Sequence, residues 1–176
     1  MAAKKKKQFG GLPPRYSFML NPYPDSRIPR CPLCEQKSRQ RKVPLLMCID
    51  PHYMIALGYT CRYCPGCDLL IAHKTEIEHL LTALFQQSAP DVIGNDYLVF
   101  GTVEKRAWRE GMTKPGFVNE MLPHVSDFKM YYRDLRRTCR GYYRVDQEPP
   151  IEEPPASQEW TKAPAVADSA RTPTLH

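Results

Sequence analysis

The stretch CRYCPGCDLLIAHKTEIEHLL, residues 61–81, sets three cysteines two residues apart and then runs into a helical pattern. A tetrahedral metal takes four ligands, so the reading of this stretch turns on where the fourth thiol lies. Residues 31–35, CPLCE, supply the match to residues 64–68, CPGCD. Both are Cys-Pro-x-Cys followed by a polar residue, and the spacing has a physical reason. Two thiolates must converge on one ion, each sulfur about 2.3 Å away. A tight turn with two intervening residues brings them together, and proline fixes the first φ of that turn. The amides that follow the first cysteine can then point at its sulfur. Two such turns on separate hairpins close a tetrahedron, with Cys31, Cys34, Cys64 and Cys67 as ligands. In the alternative pairing Cys61 joins Cys64 and leaves Cys67 spare; Pro65 and Gly66 favour the turn from Cys64 to Cys67, so Cys61 stands as the reserve ligand.

These two turns resemble the knuckles of zinc-ribbon and rubredoxin-like proteins. The resemblance covers residues 30–72 and implies a structural Zn²⁺, with Fe as the alternative ion. Knuckles of this kind usually carry glycine after the second cysteine, where the backbone turns left-handed; Glu35 and Asp68 stand there instead. Four thiolates on a divalent ion leave a local charge of −2, which Arg30, Lys37 and Arg62, near in sequence, can offset. A closed four-cysteine site has no open position for water, so its role is structural. An iron–sulfur cluster is disfavoured because the fourth Cys-Pro of that pattern is missing.

The remaining thiols and imidazoles carry less. Cys48 sits among apolar residues, and Cys139 falls on the apolar side of an expected helix; both read as small buried hydrophobes. His52, His73, His79 and His124 form no paired-ligand motif. His73, just past the second knuckle, is the one that could replace a cysteine. Nucleophile elbow, phosphate loop and dinucleotide fingerprint are all missing, so no catalytic residues are assigned and the protein is read as a non-enzyme without an evident small-molecule substrate.

Outward from the cysteines, KVPLLMCID (42–50), YMIALGYTC (53–61) and CDLLIA (67–72) read as strands. Thr75 and Glu78 form a capping box ahead of Ile77, Leu80, Leu81, Leu84 and Phe85, which predicts a helix over 76–87. DYLVFGTVEK (96–105) is β-rich and apolar on both faces at its centre, which suits a strand between the metal site and a helix. WREGMTKPGF (108–117) reads as a loop. Residues 15–30, rich in proline and aromatics, read as an extended segment. A second helix is expected from Ser126 to Arg140, with Gly141 as its stop. The fold class is therefore α+β: a small Cys₄ zinc ribbon, its antiparallel strands extended by 96–105 and covered by two helices. Residues 15–146 form this domain. Residues 1–14 read as a disordered basic arm and 147–176 as a disordered, proline-rich acidic tail.

Charge is uneven. Residues 1–45 carry +9, 46–98 carry −4, 99–146 carry +4 and 147–176 carry −3, for a net +6. On the expected second helix Lys129, Arg133, Arg136, Arg137 and Arg140 fall within about 100° of arc, a cationic stripe suited to RNA or DNA phosphates. Competing readings are a solvated face and an acidic protein partner; PPIEEPPASQEW (149–160) can itself fold back as an internal acidic partner. The lysine run at residues 4–7 is followed by no apolar core of a signal peptide, and no apolar stretch is long enough to span a membrane. The protein is expected to stay in the cytoplasm, where seven cysteines serve as ligands and buried thiols. A non-catalytic binding or adaptor protein with nucleic acid as its first-guess partner is thus the leading expectation, and a protein–protein adaptor, or rubredoxin-like or thiol electron transfer, the alternative.

Overall fold

A computed structural model describes residues 8–113 and 118–162. The ends of the expected arm and tail, residues 1–7 and 163–176, lie outside it. Strand β1 (Ser17–Asn21) comes from the proline-rich start. It is followed by β2 (Arg39–Ile49) and β3 (Tyr53–Cys64), a long antiparallel hairpin with Ile49 opposite Tyr53 and Arg39 opposite Tyr63. The second knuckle then turns β3 into β4 (Leu69–His73), and Cys64 pairs with Leu69. Helix α1 (Lys74–Ser88), β5 (Tyr97–Val103), α2 (Lys105–Thr113), α3 (Val118–Met121), β6 (Val125–Asp127) and β7 (Met130–Tyr131) complete the order.

The strands form one mixed sheet in the order β6-β5-β2-β3-β4-β1-β7. Strand β1 lies parallel to both β4 and β7. The two outermost strands, β6 and β7, are separated in sequence only by Phe128 and Lys129. The three Cα-to-Cα steps between them reach at most about 11 Å, so the sheet curls until a single segment spans both of its edges. This overturns the expected small antiparallel ribbon covered by two helices. The cause lies in residues 126–140, which form no helix. Val125–Asp127 pairs with β5, Met130–Tyr131 pairs with β1, and the backbone amides of Tyr132 and Leu135 donate to the carbonyls of Phe18 and Leu20 at 2.9 and 2.8 Å. Pairing with two open strands satisfies backbone groups that a helix would satisfy internally, and it places the Phe128 ring 4.7 Å from Phe18, nearly parallel to it.

Alternation along each strand sorts the apolar side chains between two faces. Phe18 and Leu20 of β1, Leu45 and Met47 of β2, Leu70 and Ala72 of β4 and Val99 of β5 fill the inner face. Helix α1 covers it with Ile77, Leu81 and Phe85, while Leu80 and Leu84 stay exposed. The helix begins at Lys74, so the expected capping box does not form. Glu78 turns inward instead, buried, and accepts from Tyr97 Oη at 2.9 Å. On the outer face Met19, Leu69 and Ile71 meet Cys31 and Cys64. Farther along that face Leu46, Val103 and Val125 lie with Trp108 of α2. Residues 108–113, expected as part of a loop, continue a helix that starts at Lys105, because KRAWRE carries good helix formers with Arg106 and Glu110 paired at i,i+4. Gly58 admits the Trp108 indole: a Cβ there would come within 2.7 Å of its ring.

Residues on both flanks run along this core. Phe9 and Gly10 donate their amides to the Asp127 carboxylate at 2.7 and 2.8 Å, and Leu12 bridges Ser126. In the C-terminal part Trp160 is buried against Phe85 and Tyr97, and its Nε1–H donates to Asn95 O at 2.7 Å. Among the described residues no helix is long and apolar enough to cross a membrane.

Candidate metal centre

The first knuckle lies in the connection between β1 and β2. Arg30 and Lys37 pair as the base of a small hairpin, and Ser38 donates its amide to Pro29 O at 2.9 Å. At its tip the Cys31 amide donates to Gln36 O and the Glu35 amide to Cys31 O, both at 2.8 Å. The second knuckle is the turn between β3 and β4. Their tips meet: a Cβ on Gly66 would lie 2.4 Å from Gln36 Oε1, so glycine there lets the two turns close on each other.

Cys31, Cys34, Cys64 and Cys67 come together at this junction, all four Sγ atoms within 4.8 Å of one another. Cys31 and Cys67 are 3.9 Å apart, Cys34 and Cys64 3.4 Å. A tetrahedron of thiolates at about 2.3 Å from an ion has sulfurs about 3.8 Å apart. The spacing and the donor set therefore fit a four-thiolate metal ion. Cys31 and Cys64 are buried, Cys67 is half-buried and Cys34 is exposed, so the site sits at the rim of the outer-face cluster.

Local backbone does what the Cys-Pro-x-Cys spacing predicts. The Leu33 amide points at Cys31 Sγ at 3.4 Å. The Gln36 amide, more than any other influence, holds the Cys34 thiol below its ordinary value. Burial pushes Cys64 up, and the amides of Cys67 and Gly66 pull it back. Cys67, crowded first by the Cys34 thiol and then by burial, is pushed up to about 12. Cys64 and Cys67 are thus held toward the protonated form in part by neighbouring thiols, an opposition that a cation among the sulfurs would remove.

Both residues after the second cysteines are left-handed, Glu35 at φ 62° and Asp68 at φ 52°. The two sites differ in support. Asp68 accepts from Tyr63 Oη at 2.9 Å, from Lys129 Nζ at 3.0 Å and from the Tyr16 amide at 3.3 Å. Burial works against its ionisation, but Lys129, Tyr63 and the Tyr16 amide outweigh it, and the carboxyl stays below its ordinary range. Tyr63, Asp68 and Lys129 are thus a brace for the second knuckle that spacing alone did not reveal. The one signal in the sequence was an acid in a position that prefers glycine.

Cys61 lies elsewhere. Residues 61 and 64 point to opposite faces of β3, and Cys61 is buried in the inner core, where burial raises its thiol far above the ordinary value. That answers the three-thiol question: the partner pair comes from residues 31 and 34. Strand β5, expected beside the metal site, lies on the far side of β2 and β3 from it. His73 is held by Asn21 Nδ2 at 3.1 Å and Ser26 O at 2.7 Å, away from the four sulfurs. Cys48 is half-exposed on the outer face of β2, and Cys139 donates its amide to Pro150 O.

With no helix over 126–140, the five cations expected on it do not share one stripe. Lys129 pairs with Asp68. Arg137 lies 4.5 Å from the Tyr23 ring and forks onto both oxygens of Glu152 at 2.7 and 2.8 Å, with Asp25 at 3.3 Å. The acidic segment 149–160 does fold back as an internal partner, through Glu152. Arg133, Arg136 and Arg140 are exposed. No family model, curated protein or solved structure matches the chain, so the four-cysteine geometry, not kinship, carries the functional reading.

Proposed function

We propose that the chain is a non-catalytic binding protein, that Cys31, Cys34, Cys64 and Cys67 hold one Zn²⁺ as a structural ion, and that its partner is nucleic acid. The convergence of four Sγ atoms from two knuckles within 4.8 Å carries the metal reading. A four-sulfur tetrahedron leaves no position for a substrate, so the ion ties the connection between β1 and β2 to the turn between β3 and β4. The net charge of +6 supports a polyanionic partner. An S₄ set serves iron as well as zinc, and metal analysis of the purified protein separates them. The expected result is one zinc per colourless chain, lost on Cys→Ser change at 31, 34, 64 or 67 and kept on Cys61→Ser. Visible thiolate-to-iron absorption would replace this reading with the electron-transfer one.

One observation favours a second reading, a protein adaptor. Cys48, Leu98, Phe100, Met130 and Tyr131 line an outer-face hollow of about 400 Å³, and Leu98 and Met130 are half-exposed there. Binding through that hollow would persist at high salt, whereas nucleic-acid binding weakens steeply.

A further inference from the structure

We propose that the cleft opened where β2 parts from β5 binds the phosphate backbone of a single-stranded nucleic acid; this rests on the nucleic-acid reading above and gives it a site. The β2–β5 ladder runs from Ile49 opposite Tyr97 to Leu45 opposite Thr102. Strand β5 ends at Val103, but β2 extends back to Arg39. Its first residues are paired to β3 alone, and the gap on the other side is a cleft of about 370 Å³. Arg15, Arg41, Lys105 and Arg106 line it. An adjoining hollow of about 180 Å³ shares Lys105 and adds Lys42, Trp108 and Arg109.

Six cations from three separate parts of the chain therefore line two neighbouring hollows that share Val43, Pro44 and Lys105, with Arg41 and Lys42 on opposite faces of β2. Like charges so gathered repel unless something offsets them. Glu104 is the one acid in the cleft lining, with His124 Nδ1 3.2 Å from its carboxylate, and Glu110 pairs with Arg106 at 3.4 Å. Among the described residues Arg15, Arg41, Lys42, Lys105 and Arg109 form no ion pair.

Two of the cations are held in place by aromatic rings. Arg15 lies 4.6 Å from the Tyr16 ring, and Arg41 lies 5.9 Å from Tyr16 and 4.3 Å from Tyr63. Arg41 Nη1 also donates to Tyr16 Oη at 3.2 Å. Tyr16 is buried with a left-handed backbone, φ 64°, a conformation that persists only where surroundings over-determine it and that concentrates at ligand clamps. A planar fork fixed on a ring face keeps its outward N–H groups for phosphate oxygens. Trp108 adds an aromatic surface for a base. The cations spread along two hollows instead of converging on one point, which suits successive phosphates more than a lone anion.

The test uses full-length, metal-loaded protein with labelled oligo-uridine and oligo-thymidine, followed by fluorescence anisotropy across a salt series. The variants combine Lys42→Gln, Lys105→Gln and Arg109→Gln, all exposed and without ion pairs among the described residues, so the fold stands and circular dichroism checks it. We expect affinity to drop about tenfold or more at moderate salt. The slope of log affinity against log salt should flatten by roughly 2, at about 0.7 for each single-strand phosphate no longer neutralised. Arg133→Gln, Arg136→Gln and Arg140→Gln together should leave the slope nearly unchanged. Comparing the two oligomers tells RNA from DNA. If wild type binds and the cleft variants bind equally well, the cleft is overturned while the partner reading stands. If wild type binds neither oligomer, or binds poly-glutamate more tightly than either, the partner reading itself fails.

Discussion

Seventeen buried side chains make the inner cluster, three of them from α1 and one of them Trp160, whereas the outer face at the cysteine end gathers six, two of them cysteines of the four-thiol group. The first region is held by burial of apolar surface spread over β1 to β5. The second brings four cysteines to one point, where a metal ion would hold it. Burial is distributed, so removing one side chain there costs a few kcal/mol; a metal held by the four cysteines would be a concentrated constraint, released at once with the ion. Apparent binding energies of structural zinc in small peptides reach about 10–16 kcal/mol, and such energy is folding energy.

Stripping the metal should therefore have the largest effect, and a local one. With a strong chelator, amide hydrogen exchange should speed up by orders of magnitude across residues 30–38 and 64–69, while amides of β2 and β5 stay protected. Uniform loss of protection would break the contrast and make the two regions one cooperative unit. Next in size is Phe18→Ala, which deletes a fully buried ring stacked on Phe128. It should lower stability to denaturant by about 3–5 kcal/mol while one metal per chain remains bound. The smallest effect sharpens the picture inside the metal region itself. Glu35→Gly relieves a left-handed residue whose exposed carboxylate does not brace its knuckle as Asp68 does. It should raise the melting temperature, by about 1 kcal/mol of stability. Asp68→Gly relieves the same kind of strain but strands Tyr63, Lys129 and the Tyr16 amide, so it should lower the melting temperature.

The clustering of the four cysteines was legible because its information is local: two residues between thiols, a proline to set the turn, and a second copy of the pattern. The β2–β3 hairpin and α1 were legible for the same reason, since alternation and helical spacing are read within a dozen residues. The segment from Ser126 to Arg140 also carried helical spacing, but its conformation is decided by what it meets. Strands β1 and β5 leave open edges, and residues 125–131 complete both. Nothing within the segment announces that. Strand β1 was hidden in the same way. SFMLN is buried along its whole length, as a parallel strand covered on both faces is, and its partners lie some fifty and more than a hundred positions away. Two of the cleft cations, Arg41 and Lys42, are neighbours in sequence, yet their meeting with α2 depends on where β5 stops.

The bridging of both sheet edges by residues 125–131 also bears on how the chain reaches this shape. Ser17 must wait for Met130 before its outer flank is covered, and loop closure over such a separation is slow compared with forming the β2–β3 hairpin. A chain emerging from a ribosome would hold β1 half-covered, available to chaperones or to another copy, until translation had passed residue 131. Once that latch engages, residues 125–131 occupy the open edges of β1 and β5, and those two edges are no longer offered to a neighbour.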